Sequence, residues 1–211
     1  FVGVDIFFVI SGYLISSIIF KEHIAGTFTL KNFYERRARR ILPALFLVSF
    51  ASIPLAFAWM TPADMLDFSE SLVAVPLFAS NFLFYMESGY FDAAMEVKPL
   101  FHTWSLGVEE QFYMLFPLLM IYFWKHKPKN INKIIIILFL CSIILSELTV
   151  HIDRMFAFFM LPTRIWELSL GISIALLELY NKTPKYSKAT KNIISALGLI
   201  LISGSIYFFD D

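Results

Sequence analysis

Seven long apolar runs, at 2–20, 41–60, 65–85, 106–124, 134–150, 162–180 and 192–209, constrain this chain more than any other feature. A helix rises about 1.5 Å per residue, so about 20 apolar residues cross the hydrocarbon core of a bilayer. Lipid offers no partner to a free backbone N–H or C=O, so such runs are expected as helices. Composition agrees: 58% of the residues are hydrophobic and 16% charged, against about 25% charged in soluble domains. The expected fold class is all-α, a polytopic membrane helix bundle of about seven apolar segments. It forms a single membrane-embedded domain over 1–211, with membrane lipids as its surroundings. Basic and acidic residues balance at 17 each, so no nucleic-acid partner is expected. The single cysteine, Cys141, lies in an apolar run, so neither a disulfide framework nor a metal site is expected.

The charges are unevenly placed, and that gives orientation. Of 17 Lys and Arg, six lie in 21–40, four in 125–133 and four in 182–191. By the positive-inside rule these three stretches are expected on the cytoplasmic side of a multi-pass protein of the plasma membrane. Regions 61–64, 86–103 and 151–161 carry Lys98 and Arg154 as their only Lys or Arg and read as external. A parity problem follows, because 41–60 leads outward and 86–103 is also external. Either 65–85 is re-entrant or broken at Pro76, or the 86–103 loop is cytoplasmic against the charge rule.

Between the first two runs stands Phe33-Tyr34-Glu35-Arg36-Arg37-Ala38-Arg39-Arg40-Ile41-Leu42-Pro43. Residues 29–40 are expected to form a short interfacial helix capped by Thr29, with the next span opening at Pro43. At helical spacing Arg36 lies beside Arg39 and Arg40, and Arg37 beside Arg40. Four guanidinium groups on one turn repel each other, so an anion is expected among them. Lipid-headgroup anchoring and a binding site for a polyphosphate such as coenzyme A both fit.

Three further stretches carry polar groups into apolar surroundings. In His102-Thr103-Trp104-Ser105-Leu106-Gly107-Val108-Glu109-Glu110-Gln111-Phe112-Tyr113, a helix stacks His102, Ser105 and Glu109 on one face. A catalytic triad is excluded, since neighbours on one helix give poor attack geometry and no nucleophile elbow is present. The adjacent Glu109 and Glu110 are the stronger signal, because carboxylates within a membrane face a cavity or a partner. In Pro162-Thr163-Arg164-Ile165-Trp166-Glu167-Leu168-Ser169-Leu170-Gly171, Arg164 and Glu167 are three apart and positioned to pair, while Gly171 admits a close backbone. Near the start, Asp5 lies at the edge of a span and Ser11-Gly12 supplies a small packing face.

Taken in order, 3–15, 33–44, 102–113 and 164–171 resemble the successive signatures of the acyltransferase-3 family of membrane O-acyltransferases. That family includes O-acetylases of bacterial lipopolysaccharide and peptidoglycan. Residues 87–106, with Gly89-Tyr90-Phe91-Asp92, are similar to members that carry an extracytoplasmic esterase-like domain. The resemblance implies acetyl-CoA or another acyl-CoA as donor substrate, with no tightly bound cofactor, and a glycan hydroxyl as acceptor. It places the family's Arg-x-x-Arg on Arg36/Arg39 or Arg37/Arg40, with Glu109, Glu110 and His102 as cavity candidates. Asp5, Ser105, Arg164 and Glu167 are then polar supports. Family members begin with a helix bearing an Arg and a His, the latter taken as catalytic base. His23, His102, His126 and His151 do not match that position, so the base is expected before Phe1, and further helices after the C-terminal end. A partial domain of this kind is expected to be inactive alone. A transporter or flippase of an anionic or acylated molecule is the alternative, and the lack of inverted repeats counts against it.

Overall fold

Helix length, capping and proline placement account for the architecture of the computed structural model, which describes residues 2–88, 98–126, 130–180 and 187–208. The described residues form helices α1 (Val2–Ile24), α2 (Leu30–Trp59), α3 (Pro62–Ala74), α4 (Ser80–Ser88), α5 (Thr103–His126), α6 (Ile131–Val150), α7 (Arg154–Phe159), α8 (Leu161–Leu179) and α9 (Lys188–Phe208). Five helical stretches are long and apolar enough to cross a membrane: α1, α2, α6, α7–α8 together, and α9. The chain is thus an all-α membrane helix bundle. Glu109, Glu110 and Gln111 dilute the apolar character of α5, although its 24 residues have the length to span.

On the N-terminal half one expectation is corrected and one alternative is selected. The interfacial helix at 29–40 and the span at 41–60 are one continuous helix of 30 residues. Thr29 does cap it, accepting from the Asn32 N–H at 3.3 Å. The helix runs through Pro43 because the surrounding Ala, Arg and Leu residues are strong helix formers, and a proline removes a single internal hydrogen bond. The non-helical link between α1 and α2 is the turn at 25–29. The apolar run 65–85 is α3 and α4, of 13 and 9 residues, with a non-helical joint at Pro76 to Ala79 that includes Phe78 at φ 54°. At about 20 Å and about 14 Å, neither reaches across a bilayer.

Packing contacts give the helix directions. Phe8 meets Trp104, Ser11 meets Glu109, and Phe20 meets Trp124, so α1 and α5 run the same way. Asp5 with Arg164 and Tyr13 with Glu178 make α8 parallel to α1 as well. By contrast, Tyr34 bonds Met114 and Arg37 bonds Glu110, so α2 runs against α5. The stretch between α2 and α5 therefore makes no net crossing, which is the broken-segment solution to the parity problem.

The core is aromatic. Phe8, Phe20, Phe33, Phe84, Phe116 and Phe159 are fully buried, and Trp104 packs edge-on against Phe8 and Phe159. α1 crosses α8 at close range. A Cβ on Gly171 would stand 2.0 Å from the Val9 carbonyl oxygen, and one on Gly12 would stand 2.2 Å from that of Leu168. Glycine at both positions lets the backbones touch, which aligns the polar groups of the two helices.

Candidate active site

Polar side chains enter the bundle at two levels along α1, six residues and hence about 9 Å apart. The first level joins α1 to α8. Arg164 donates to Asp5 at 2.9 Å, to Glu167 at 2.7 Å and to the Phe158 carbonyl at 3.1 Å. Its guanidinium lies 5.1 Å from the Phe158 ring and 5.8 Å from that of Trp104. Glu167 is fully buried, and one of its carboxylate oxygens has no hydrogen-bond partner. The expected Arg164–Glu167 pair is thus present, and Asp5 joins it.

The second level joins α1, α5 and α2. Glu109 accepts from the hydroxyls of Ser11 and Tyr113, which also contact each other. Glu110, the next residue and so about 100° round the helix, accepts from Arg37 at 2.6 Å. The Arg37 guanidinium lies 4.0 Å over the Tyr113 ring, so one aromatic side chain touches both parts of the network. Glu109 and Glu110 are both buried. Alongside, Asn81 on α4 is buried, accepts from Gln111 at 2.8 Å and donates to the Phe159 carbonyl at 3.1 Å.

The structure divides the four arginines. Arg36 pairs with Glu22 at 2.7 Å and Arg39 with Glu35 at 2.7 Å, and both guanidinium groups are largely exposed. Arg37 is turned inward to Glu110. Arg40 has no ion-pair partner among the described residues and lines a cleft of about 320 Å³ with Ile41, Ala44, Leu45, Val48, Leu100, His102, Thr103 and Leu106. His102 therefore faces this cleft and not Glu109, while Ser105 donates back to the His102 carbonyl at 3.1 Å. Tyr113, Glu22 and Glu35 were not singled out in the sequence, although Glu109 and Tyr113 stand one helical turn apart, a spacing that signals contact. Gly89-Tyr90-Phe91-Asp92 lies outside the described residues. Among the described residues no cluster of His, Cys, Asp or Glu could hold a metal ion.

Outside the spans, Asp153 caps α7 by accepting from the Phe156 N–H at 2.9 Å, and Tyr85 donates to it at 2.7 Å. The backbone N–H first, and then the phenol, hold its carboxyl below the ordinary range.

Guanidinium–carboxylate pairs within a bundle of apolar helices define a multi-pass membrane protein with a polar interior. The family profile of the acyltransferase domain matches residues 1–210, and the chain belongs to that family. It is 31% identical to an uncharacterized protein of Haemophilus influenzae over 214 residues, covering 98% of this chain and 87% of that one. It is also 33% identical to O-acetyltransferase OatA of Staphylococcus aureus over 97% of this chain, which spans only 34% of OatA's length. No solved structure matches.

Proposed function

We propose that this protein transfers an acetyl or other acyl group from a cytosolic acyl-CoA to a hydroxyl of a cell-envelope glycan. The observation that carries the reading is the joining of two arginine sets on one helix. Arg36 and Arg39, exposed and three residues apart, are available to the donor's phosphates by exchanging Glu22 and Glu35 for them. Arg37, on the same helix, is tied to the buried Glu110. The donor is thereby brought to the edge of the polar interior. Glu109 and Glu110 brace the reaction cavity, with Asp5, Arg164 and Glu167 as support.

In the reaction the acceptor oxygen attacks the thioester carbonyl carbon. The C–S bond breaks, the hydroxyl proton passes to a base, and coenzyme A leaves as a thiolate that takes up a proton. We assign that base to no residue described here. Basic residues cluster at or just beyond the C-terminal ends of α1, α5 and α8, which point the same way. This supports a cytoplasmic arginine end in the plasma membrane.

Inverted membrane vesicles carrying the complete gene product and labelled acetyl-CoA test the reading. Arg36→Ala with Arg39→Ala should raise the KM for acetyl-CoA about tenfold or more, as expected when two charge-assisted contacts are lost. Undiminished alkali-labile acetylation at low donor concentration refutes the donor role.

A further inference from the structure

Three of the four clustered arginines have a carboxylate partner, and the fourth, Arg40, faces a cleft instead. The α2 wall of that cleft is Ile41, Ala44, Leu45 and Val48, recurring at helical spacing over about 12 Å. Leu100 and Leu106 form the opposite wall, and Arg40 and His102 are its ionisable groups. Thr103 adds little polarity, because its hydroxyl donates to the Leu100 carbonyl at 2.6 Å. Next to the cleft, Leu47 is 71% and Phe50 66% exposed, on a helix apolar enough to span a bilayer. Val48, a wall residue of the cleft, is itself 47% exposed, so among the described residues the cleft is open along its apolar side.

We propose that this cleft binds a membrane lipid with an anionic phosphate head group. The phosphate sits on Arg40 beside His102, and one hydrocarbon chain lies along Ile41, Ala44, Leu45 and Val48. A guanidinium supplies the charge-assisted contacts a phosphate prefers, and an alkyl chain matches walls with almost no free hydrogen-bonding groups. Nucleotide or pantetheine amides would find no partners along those walls. The site is separate from the proposed donor contacts at Arg36 and Arg39, and its test does not depend on acyl transfer.

Native mass spectrometry of the detergent-purified full chain, with phosphatidylglycerol or phosphatidylcholine of matched chains, is the measurement. One phosphatidylglycerol should be retained about tenfold better than phosphatidylcholine. Arg40→Gln should abolish that preference, and Val48→Trp, a lipid-exposed change that fills the cleft, should reduce retention of both lipids. Arg39→Gln should leave binding unchanged. Equal retention of the two lipids, insensitivity to Arg40→Gln or an equal loss in Arg39→Gln would overturn the site. Displacement by soluble glycerol phosphate would also overturn it, by showing a free-anion site.

Discussion

Adding one methyl group at Gly171 should loosen the bundle where α1 crosses α8. A Cβ there would lie 2.0 Å from the Val9 oxygen, 2.5 Å from the Tyr13 nitrogen and 3.0 Å from the Gly12 carbonyl carbon. A relaxed carbon–oxygen contact is about 3.3 Å or more. Since the blocking atoms are backbone, no rotamer change relieves them, and α1 must move off α8 by about 1 Å. Overpacking of a fitted interface costs about 1–3 kcal/mol. The upper part of that range applies, because separation also stretches the 2.9 Å contact of Asp5 with Arg164. For a chain of this size, Tm should fall by roughly 5–10 °C. The comparison is Gly198→Ala in α9, where an added Cβ meets nothing within 4 Å. There the substitution should be neutral or stabilising by about 0.5–1 kcal/mol, since alanine loses less backbone freedom in a helix. Thermal unfolding in detergent, followed by tryptophan fluorescence, reads both variants. If Gly171→Ala unfolds at or above the wild-type temperature, the close approach of α1 and α8 is wrong, and with it the alignment of the polar levels.

Removing Arg37 with methionine strands Glu110 in a buried site, so Arg37→Met should destabilise by about 3–5 kcal/mol, whereas Arg37→Met with Glu110→Met should recover much of that loss. Additive effects in unfolding measurements would show that the two side chains do not pair. Tyr113→Phe and Ser11→Ala each remove a hydroxyl donated to Glu109 and should cost about 1–3 kcal/mol apiece. Because the two hydroxyls also touch each other, the double variant should be non-additive by at least about 0.5 kcal/mol. Asp153 titrates below its ordinary value in the folded protein, so its charge stabilises above the unfolded carboxylate pKa of about 3.9 and that contribution is lost as pH falls through the folded value. Wild type should therefore unfold at a higher temperature than Asp153→Asn at pH 7, with the gap closing below about pH 4. A pH-independent gap would contradict the linkage.

Membrane helices were legible because their signal is local. Apolar runs of sufficient length set the bundle, and the three-residue spacing of Arg164 and Glu167 predicted their pair. Glycine 171 was legible for the same reason, as a small residue one turn past a buried carboxylate. Pairings across the bundle were not. Arg37 and Glu110 are 73 residues apart and Asp5 and Arg164 are 159 apart, and hydropathy carries no register between helices. The break at Pro76 was one of two readings, and packing directions chose between them. Pro43 misled in the opposite sense, because strong helix formers on both sides outweighed the usual cost of one proline. Four adjacent arginines looked like one site, yet carboxylates at positions 22, 35 and 110 took three of them in different directions.

The division of those arginines explains how one helix can serve both a wet and a buried surface. Arg36 and Arg39 hold exposed ion pairs, which contribute little stability. Arg37 holds a buried pair, which is costly to break and so fixes α2 against α5. The two polar levels are built differently: Asp5 and Glu167 share Arg164, whereas Arg37 pairs with Glu110 and Glu109 accepts from the Ser11 and Tyr113 hydroxyls. The two levels lie about 9 Å apart on α1, and the Gly12–Gly171 crossing is what keeps α1 and α8 in register between them.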